Sequence, residues 1–280
     1  VTNNLSSNLM KESQLHKIVN CDRADRIGDV IFVHGLGGDA FGTWHPQGKK
    51  DDDQSWLFWL GQDLPDVGIW SIDYEVEPSA WKGNAMPLTD RATNILELLN
   101  VNDIGEHPII FVTHSLGGLL VKQMFRTASD RNDQEWKNIV EKTRGIVFLA
   151  TPHSGSNIAN WVSYIGKILR KNVSVEELKG SSPQLLDLNI WFRERFRDLN
   201  VSVGVYFEKE KLLLPKLFGI IRLFGILVVD AASADPSIPD IKLTALDGDH
   251  ITICRPDSKD RTVYLSVKRL IGNWFSNQLI

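Results

Sequence analysis

The 280 residues carry 31 Lys and Arg against 35 Asp and Glu, a net charge of −4 that supplies no basic field for nucleic acid. With 42% hydrophobic and 24% charged residues, the chain can bury a full core as one large α/β domain or at most two. Two cysteines far apart in sequence, Cys21 and Cys254, have neither metal nor redox spacing and argue against a disulfide framework.

Residues 1–28 are polar and uneven, and read as a loose N-terminal arm with room for one edge element. The opening residues Val1-Thr2-Asn3-Asn4 lack a basic region followed by an apolar core, so a cytoplasmic chain is expected. From Asp29 to His34 an unbroken apolar run predicts a strand buried on both faces of a parallel sheet, leading into His34-Gly35-Leu36-Gly37-Gly38-Asp39. Asp51-Asp52-Asp53 sits beside Lys49 and Lys50, and is read as a solvated loop in preference to a metal site. Trp56, Leu57, Trp59, Leu60 and Leu64 are spaced for an amphipathic helix over 54–64, followed by a strand over 68–74. A loop over 78–87 holds Trp81 and Met86, which either line a groove or pack; a helix over 88–100 follows, with Thr89 or Asp90 as N-cap.

The run Ile109–Val112 predicts a further strand, and residues 116–128 a helix. A surface helix over 133–142 precedes a buried strand over 145–150, which ends at Thr151-Pro152-His153-Ser154-Gly155. Residues 155–199 contain three helical segments; the last holds Trp191-Phe192-Arg193-Glu194-Arg195-Phe196-Arg197, read as a solvated face ahead of a phosphate-binding one. Strands are predicted over 201–207, ending at Glu208, over 226–230, ending at Asp230, and over 241–246; a helix over 260–277 closes the chain. Such alternation builds a parallel sheet with helices on both faces, in a single domain over residues 29–280.

The segment over 211–225 is too broken by Pro215, Lys216 and Arg222 for a membrane span of about twenty apolar residues. Leu213, Leu217, Ile220, Ile221 and Phe224 nevertheless share one helical face, with Lys211 and Arg222 off it. That pattern suits a cap insertion in contact with a membrane surface, and equally a core helix covering the sheet.

Chemistry centres on Thr113-His114-Ser115-Leu116-Gly117-Gly118. A strand, a sharp turn with serine at its apex and then a helix form a nucleophile elbow, whose usual pattern is Gly-x-Ser-x-Gly. Thr113 departs from the first small position, while Gly117 and Gly118 keep the room such a turn needs. The Gly-rich loop at 34–38 adds a second part: the backbone N–H of Leu36 and that of Leu116 are the expected oxyanion donors. A serine nucleophile needs a base and an acid, in the chain order Ser, acid, His. His250 is the one histidine after the late strands; His16, His34, His45, His107, His114 and His153 all precede them. His153 is read as shaping the pocket. For the acid, Glu208 and Asp230 both end strands and both stay open, whereas Asp247 and Asp249 lie too near His250 to pair with it side-on.

On these residues, and on Trp70–Tyr74, Phe148–Gly155, Tyr206–Glu208, Val228–Ala234 and Asp249–Cys254, the chain resembles the lipase/esterase-like family of α/β-hydrolases that includes serine active site-containing and GPI inositol-deacylase-type hydrolases. The matching segments cover residues 29–275 in the expected order. The resemblance implies an α/β-hydrolase fold and cleavage of acyl esters, often of lipids and at membranes. No cofactor or metal is expected, and the resemblance favours Glu208 over Asp230 as the acid. The competing expectation is a catalytically idle α/β-hydrolase fold that serves as a binding or signalling module.

Overall fold

A computed structural model of the chain describes residues 12–49, 53–75, 88–131, 133–153, 182–213 and 225–276. Three strands, β2 (Gly28–Val33), β3 (Val67–Asp73) and β4 (Ile109–His114), are buried along their whole length. This is why their sequences run apolar without alternation: helices cover both faces of the sheet. β5 (Thr143–Leu149), β6 (Ser202–Glu208) and β9 (Leu243–Leu246) extend it on one side. On the other side, β1 (Gln14–Val19) is an antiparallel edge, so the N-terminal arm does contribute one element. The order is β1-β3-β2-β4-β5-β6-β9, with every neighbour after the β1–β3 pair parallel.

The helices fall into two groups. Trp56 and Trp59 of α1 (Trp56–Asp63) meet Tyr264 of the closing helix, whose hydroxyl donates to Asp63. α2 (Leu88–Asn100), α3 (Leu116–Asp130) and α4 (Gln134–Lys142) pack together, and α5 (Ser182–Leu199) lies on α3. α6 (Ala231–Ala234) is a short turn after β6, and α7 (Thr262–Ser276) lays Phe275 and Trp274 onto the strand backbone at Gly28 and Gly145, where a Cβ would collide with them.

Local chemistry sets the helix starts. Ser55 caps α1 by accepting from Leu57 N–H, and Asp133 caps α4 by accepting from Glu135 and Trp136 N–H. α2 begins at Leu88, so Thr89 and Asp90 lie inside its first turn and neither is the cap.

The strand expected over 226–230 is not one. Only Gly225–Ile226 (β8) is extended and paired, in a two-stranded antiparallel ribbon with Leu212–Leu213 (β7), and Asp230 is the N-cap of α6. Val228 and Val229 have strand-like side chains, but their N–H groups are spent on a carboxylate. The ribbon joins the two ends of the expected cap and puts Leu213 in a strand instead of on the helical face expected over 211–225; residues 214–224, like Trp81, Met86 and the helical segments expected over 155–181, lie outside the described residues.

β2 connects outward to β3 on one side, while β4 flanks it on the other. The chain therefore changes direction across the sheet between β2 and β4. In open α/β sheets, the crevice beyond the carboxyl ends of such strands is where ligands bind. Ser115 follows β4 and the Gly-rich loop follows β2.

Candidate active site

Ser115 sits between β4 and α3 with φ 55° and ψ −122°, a left-handed conformation rare for a side chain-bearing residue. Holding it costs about 1–3 kcal/mol, supplied by the surrounding packing. That packing is tight: a Cβ at Gly117 would lie 2.3 Å from Val33 O and 2.6 Å from His34 O. A Cβ at Gly35 would lie 2.7 Å from the Ser115 Cβ. The elbow and the loop after β2 thus touch backbone to backbone, and only glycine permits it. Ser115 N–H donates to Leu149 O at 2.9 Å, fixing the turn to β5. Thr113, at the unusual first position of the motif, is accommodated because its hydroxyl turns to Val147 O at 2.9 Å.

Ser115 Oγ lies 2.9 Å from His250 Nε2, and His250 Nδ1 lies 3.1 Å from Glu208 Oε2. All three side chains are buried. The other Glu208 oxygen, Oε1, accepts from Val228 N–H at 2.7 Å and Val229 N–H at 2.6 Å. A carboxylate at Oε2 calls for a proton on His250 Nδ1, which leaves Nε2 bare toward the serine hydroxyl.

The His250 loop is itself anchored. Asp249 accepts from Ile251 and Thr252 N–H while its own N–H donates to the Thr252 hydroxyl, a reciprocal cap on the turn over Thr252–Cys254. Lys209 N–H donates to Leu246 O and Glu210 N–H to Gly248 O, so the chain beyond Glu208 is zipped to the loop that carries His250.

Other sequence candidates are placed elsewhere. Asp230 accepts from Ser233 N–H as a cap, and Asp247 pairs with Lys209 at the surface. Leu36 and Leu116 are both buried, and among the described residues neither backbone N–H has an acceptor. His34 is stacked on Tyr74, whose hydroxyl donates to His34 O at 2.6 Å, bracing the loop that carries Leu36. Both cysteines are free and buried. Among the described residues no three His, Cys, Asp or Glu side chains converge to hold a metal.

His153 meets a residue that the sequence reading missed. Its Nδ1 is 2.7 Å from Lys122 Nζ, which also donates to Asn189 Oδ1 at 2.6 Å and lies near the rings of Phe148 and Phe192. Lys122 is completely buried, and burial holds its amine well below the ordinary lysine pKa. Burial, with Lys122 beside it, likewise holds His153 below the ordinary imidazole value. A signal was present: Lys122 interrupts an apolar stripe between Leu119 and Met124, where an exposed lysine would have no place. Beyond the end of β5, His153 N–H reaches across to Ser233 O at 2.6 Å, tying this cluster to the stretch that follows Val229.

Comparison with known proteins agrees with this architecture. Protein SERAC1 of Homo sapiens is 34% identical over 268 residues, which is 90% of this chain and 39% of that protein. The chain thus spans about two fifths of the length of the curated relatives it matches, 37–39% in each case. Among solved structures, phospholipase PlaB from Legionella pneumophila is similar with a TM-score of 0.58 at 12% identity, covering 89% of this chain and 61% of that one. The mature Bacillus licheniformis lipase BlEst2 gives 0.55 at 17% identity, covering 91% and 97%. These likenesses show the α/β-hydrolase fold. Residues 28–176, just over half of the chain, match the model of the PGAP1-like alpha/beta domain, and the chain belongs to that family.

Proposed function

We propose that the chain is a serine hydrolase of carboxylic esters, acting through an acyl-enzyme on acyl esters of lipids. The observation that supports it most is the continuous hydrogen-bonded line from Ser115 Oγ through His250 to Glu208, hung on a strained elbow. In this reading Ser115 Oγ attacks the ester carbonyl while His250 Nε2 takes its proton. Glu208 holds the ring in the required tautomer and stabilises the imidazolium as it forms. The negative oxygen of the tetrahedral intermediate is received by the N–H groups of Leu36 and Leu116, each such donor being worth roughly 3 kcal/mol in the transition state. His250 then protonates the departing alcohol, and water cleaves the acyl-enzyme by the same steps in reverse. No cofactor is needed.

Lipid as the substrate class is supported by the family resemblance and by the apolar residues Leu217, Ile220, Ile221 and Phe224 in the sequence between β7 and β8. No described helix is long and apolar enough to cross a membrane. A peripheral contact through the segment between β7 and β8 is the mode of membrane approach proposed here.

The test is a fluorophosphonate probe together with a panel of short- and long-chain acyl esters and phospholipids, on wild type, Ser115→Ala and His250→Ala. Label on Ser115 and a loss of several orders of magnitude in either variant are expected, with little further loss on combining them. Full esterase activity in Ser115→Ala would overturn the mechanism. A folded wild type that neither labels nor turns over any ester would leave the idle-fold reading in its place.

A further inference from the structure

The residue before the nucleophile has no part in the mechanism above, yet it is buried and touches two of its components. His114 Nε2 lies 2.8 Å from the backbone carbonyl oxygen of His250. The two imidazole rings are 5.0 Å apart at an angle of 46°. On its opposite side, His114 Nδ1 is 3.3 Å from where a Gly35 Cβ would sit, so the ring is wedged between the Gly-rich loop and the His250 loop. Since a carbonyl can only accept, His114 Nε2 carries the hydrogen and Nδ1 is bare. The ring is neutral there: burial first, and then the neighbouring His250, hold its pKa well below the ordinary imidazole value.

The carbonyl that receives this bond belongs to His250 itself, and among the described residues His114 is its one donor. β9, from which the His250 loop departs, is a short and partly exposed edge strand, a soft support for a group that must be placed accurately. β4 is the opposite, a central strand buried throughout. The clamp on the partner histidine is thus the last residue of a rigid strand, and the serine follows it directly.

We infer that His114 is a positioning residue: by donating its Nε2 hydrogen to the His250 carbonyl, it sets the distance between the His250 ring and Ser115 Oγ by reference to β4 in place of the edge strand. The role rests on the reading of Ser115 and His250 given above. A misplacement of about 1 Å in a reacting group can cost on the order of a hundredfold in rate. The bond is therefore expected to act on kcat and on the rate at which Ser115 reacts, with little effect on KM.

The experiment compares His114→Gln, His114→Asn and His114→Leu with wild type. The readouts are the fluorophosphonate labelling rate, kcat and KM on an acyl ester, and far-UV circular dichroism. The glutamine amide reaches the place of Nε2 and restores the donor; asparagine is one methylene too short, and leucine fills space without donating. His114→Gln is expected within about threefold of wild type. His114→Leu and His114→Asn are expected about 10–100-fold slower in labelling and kcat, with KM within about twofold. If His114→Leu does not fold, the Gln and Asn pair decides. Equal rates for Gln and Asn, or a folded Leu variant that labels at the wild-type rate, would overturn the positioning role while wild-type labelling leaves the hydrolase reading intact. A wild type that does not label at all removes both.

Discussion

Replacing Glu208 by glutamine asks one side chain to satisfy three donors with a single oxygen. In the native protein Oε1 takes two backbone N–H groups at 2.7 and 2.6 Å, while Oε2 faces His250 Nδ1 at 3.1 Å. A Glu208→Gln amide can keep its oxygen toward Val228 and Val229, which turns its NH2 onto His250. His250 Nδ1 must then be the acceptor, its hydrogen moves to Nε2, and the ring can no longer receive the Ser115 proton. The opposite orientation restores the tautomer but sets NH2 against two buried N–H donors, at about 1–3 kcal/mol for each group left unsatisfied. The backbone therefore selects the unproductive arrangement. An acid-to-amide change of this kind costs about four orders of magnitude in rate, equivalent to roughly 5.5 kcal/mol in the barrier. The assay is kcat/KM on an acyl ester from pH 5 to 9, with a thermal melt alongside. Asp230→Asn is the control, because asparagine still caps α6; its activity should stay within about threefold of wild type. A folded Glu208→Gln protein that loses less than tenfold would refute the reasoning, and the reverse ranking of the two variants would give the role to Asp230.

Three further outcomes are expected. Gly35→Ala forces a methyl to within 2.7 Å of the Ser115 Cβ and 3.0 Å of His114 O, so Ser115 labelling should slow at least tenfold while circular dichroism is retained; an unchanged rate would mean that this approach is unimportant for reactivity. Lys122 in the folded protein titrates well below its ordinary value of 10.5, so between those two points the unfolded chain binds the extra proton. Stability should therefore rise with pH toward 10.5 and be lost as pH falls, by up to about 1.4 kcal/mol per pH unit. Denaturant titrations of wild type and Lys122→Met at pH 8 and 10 should differ in this slope, and equal slopes would refute it. The buried thiols of Cys21 and Cys254, pushed up to about 11 and about 12, add the opposite slope in both proteins and cancel in the comparison. Finally, a folded Leu217→Asp, Phe224→Asp double variant should lose co-sedimentation with anionic liposomes; equal binding by both proteins, or by neither, would remove the membrane role of residues 211–225.

Much of the site was legible because its residues carry local signatures. Ser115 announces itself through the glycines that follow it, and His250 through its position after the last strand. Which carboxylate faces His250 was not decided by spacing: Glu208 and Asp230 look alike as carboxylates at the ends of β-branched runs, and what separates them is where neighbouring N–H groups point. The same limit explains Val228 and Val229. Their side chains are those of a buried strand, and sequence periodicity is blind to whether a backbone N–H bonds a ladder partner or a carboxylate oxygen. β1 was faint for a different reason, since an antiparallel edge buries only part of its surface and needs no apolar run. Lys122 went unread because composition treats lysine as a surface residue, although its place in the apolar stripe of α3 contradicts that.

The order of strands also fixes an order in time. Ser115 is reached 135 residues before His250 as the chain is made, an interval of roughly 7–27 s at ordinary rates of synthesis. Within that interval the elbow can form, once β5 has joined β2 and β4, but His250 is not yet there to accept the proton of the hydroxyl. In the proposed mechanism, reactivity arrives only when the edge strand β9 docks on β6 and carries His250 into place. β9 is bonded along one side only, and such edges open more readily than a sheet's centre. In the proposed mechanism the nascent and the fraying chain are both inert, and the serine is armed only while the last strand of the sheet stays attached.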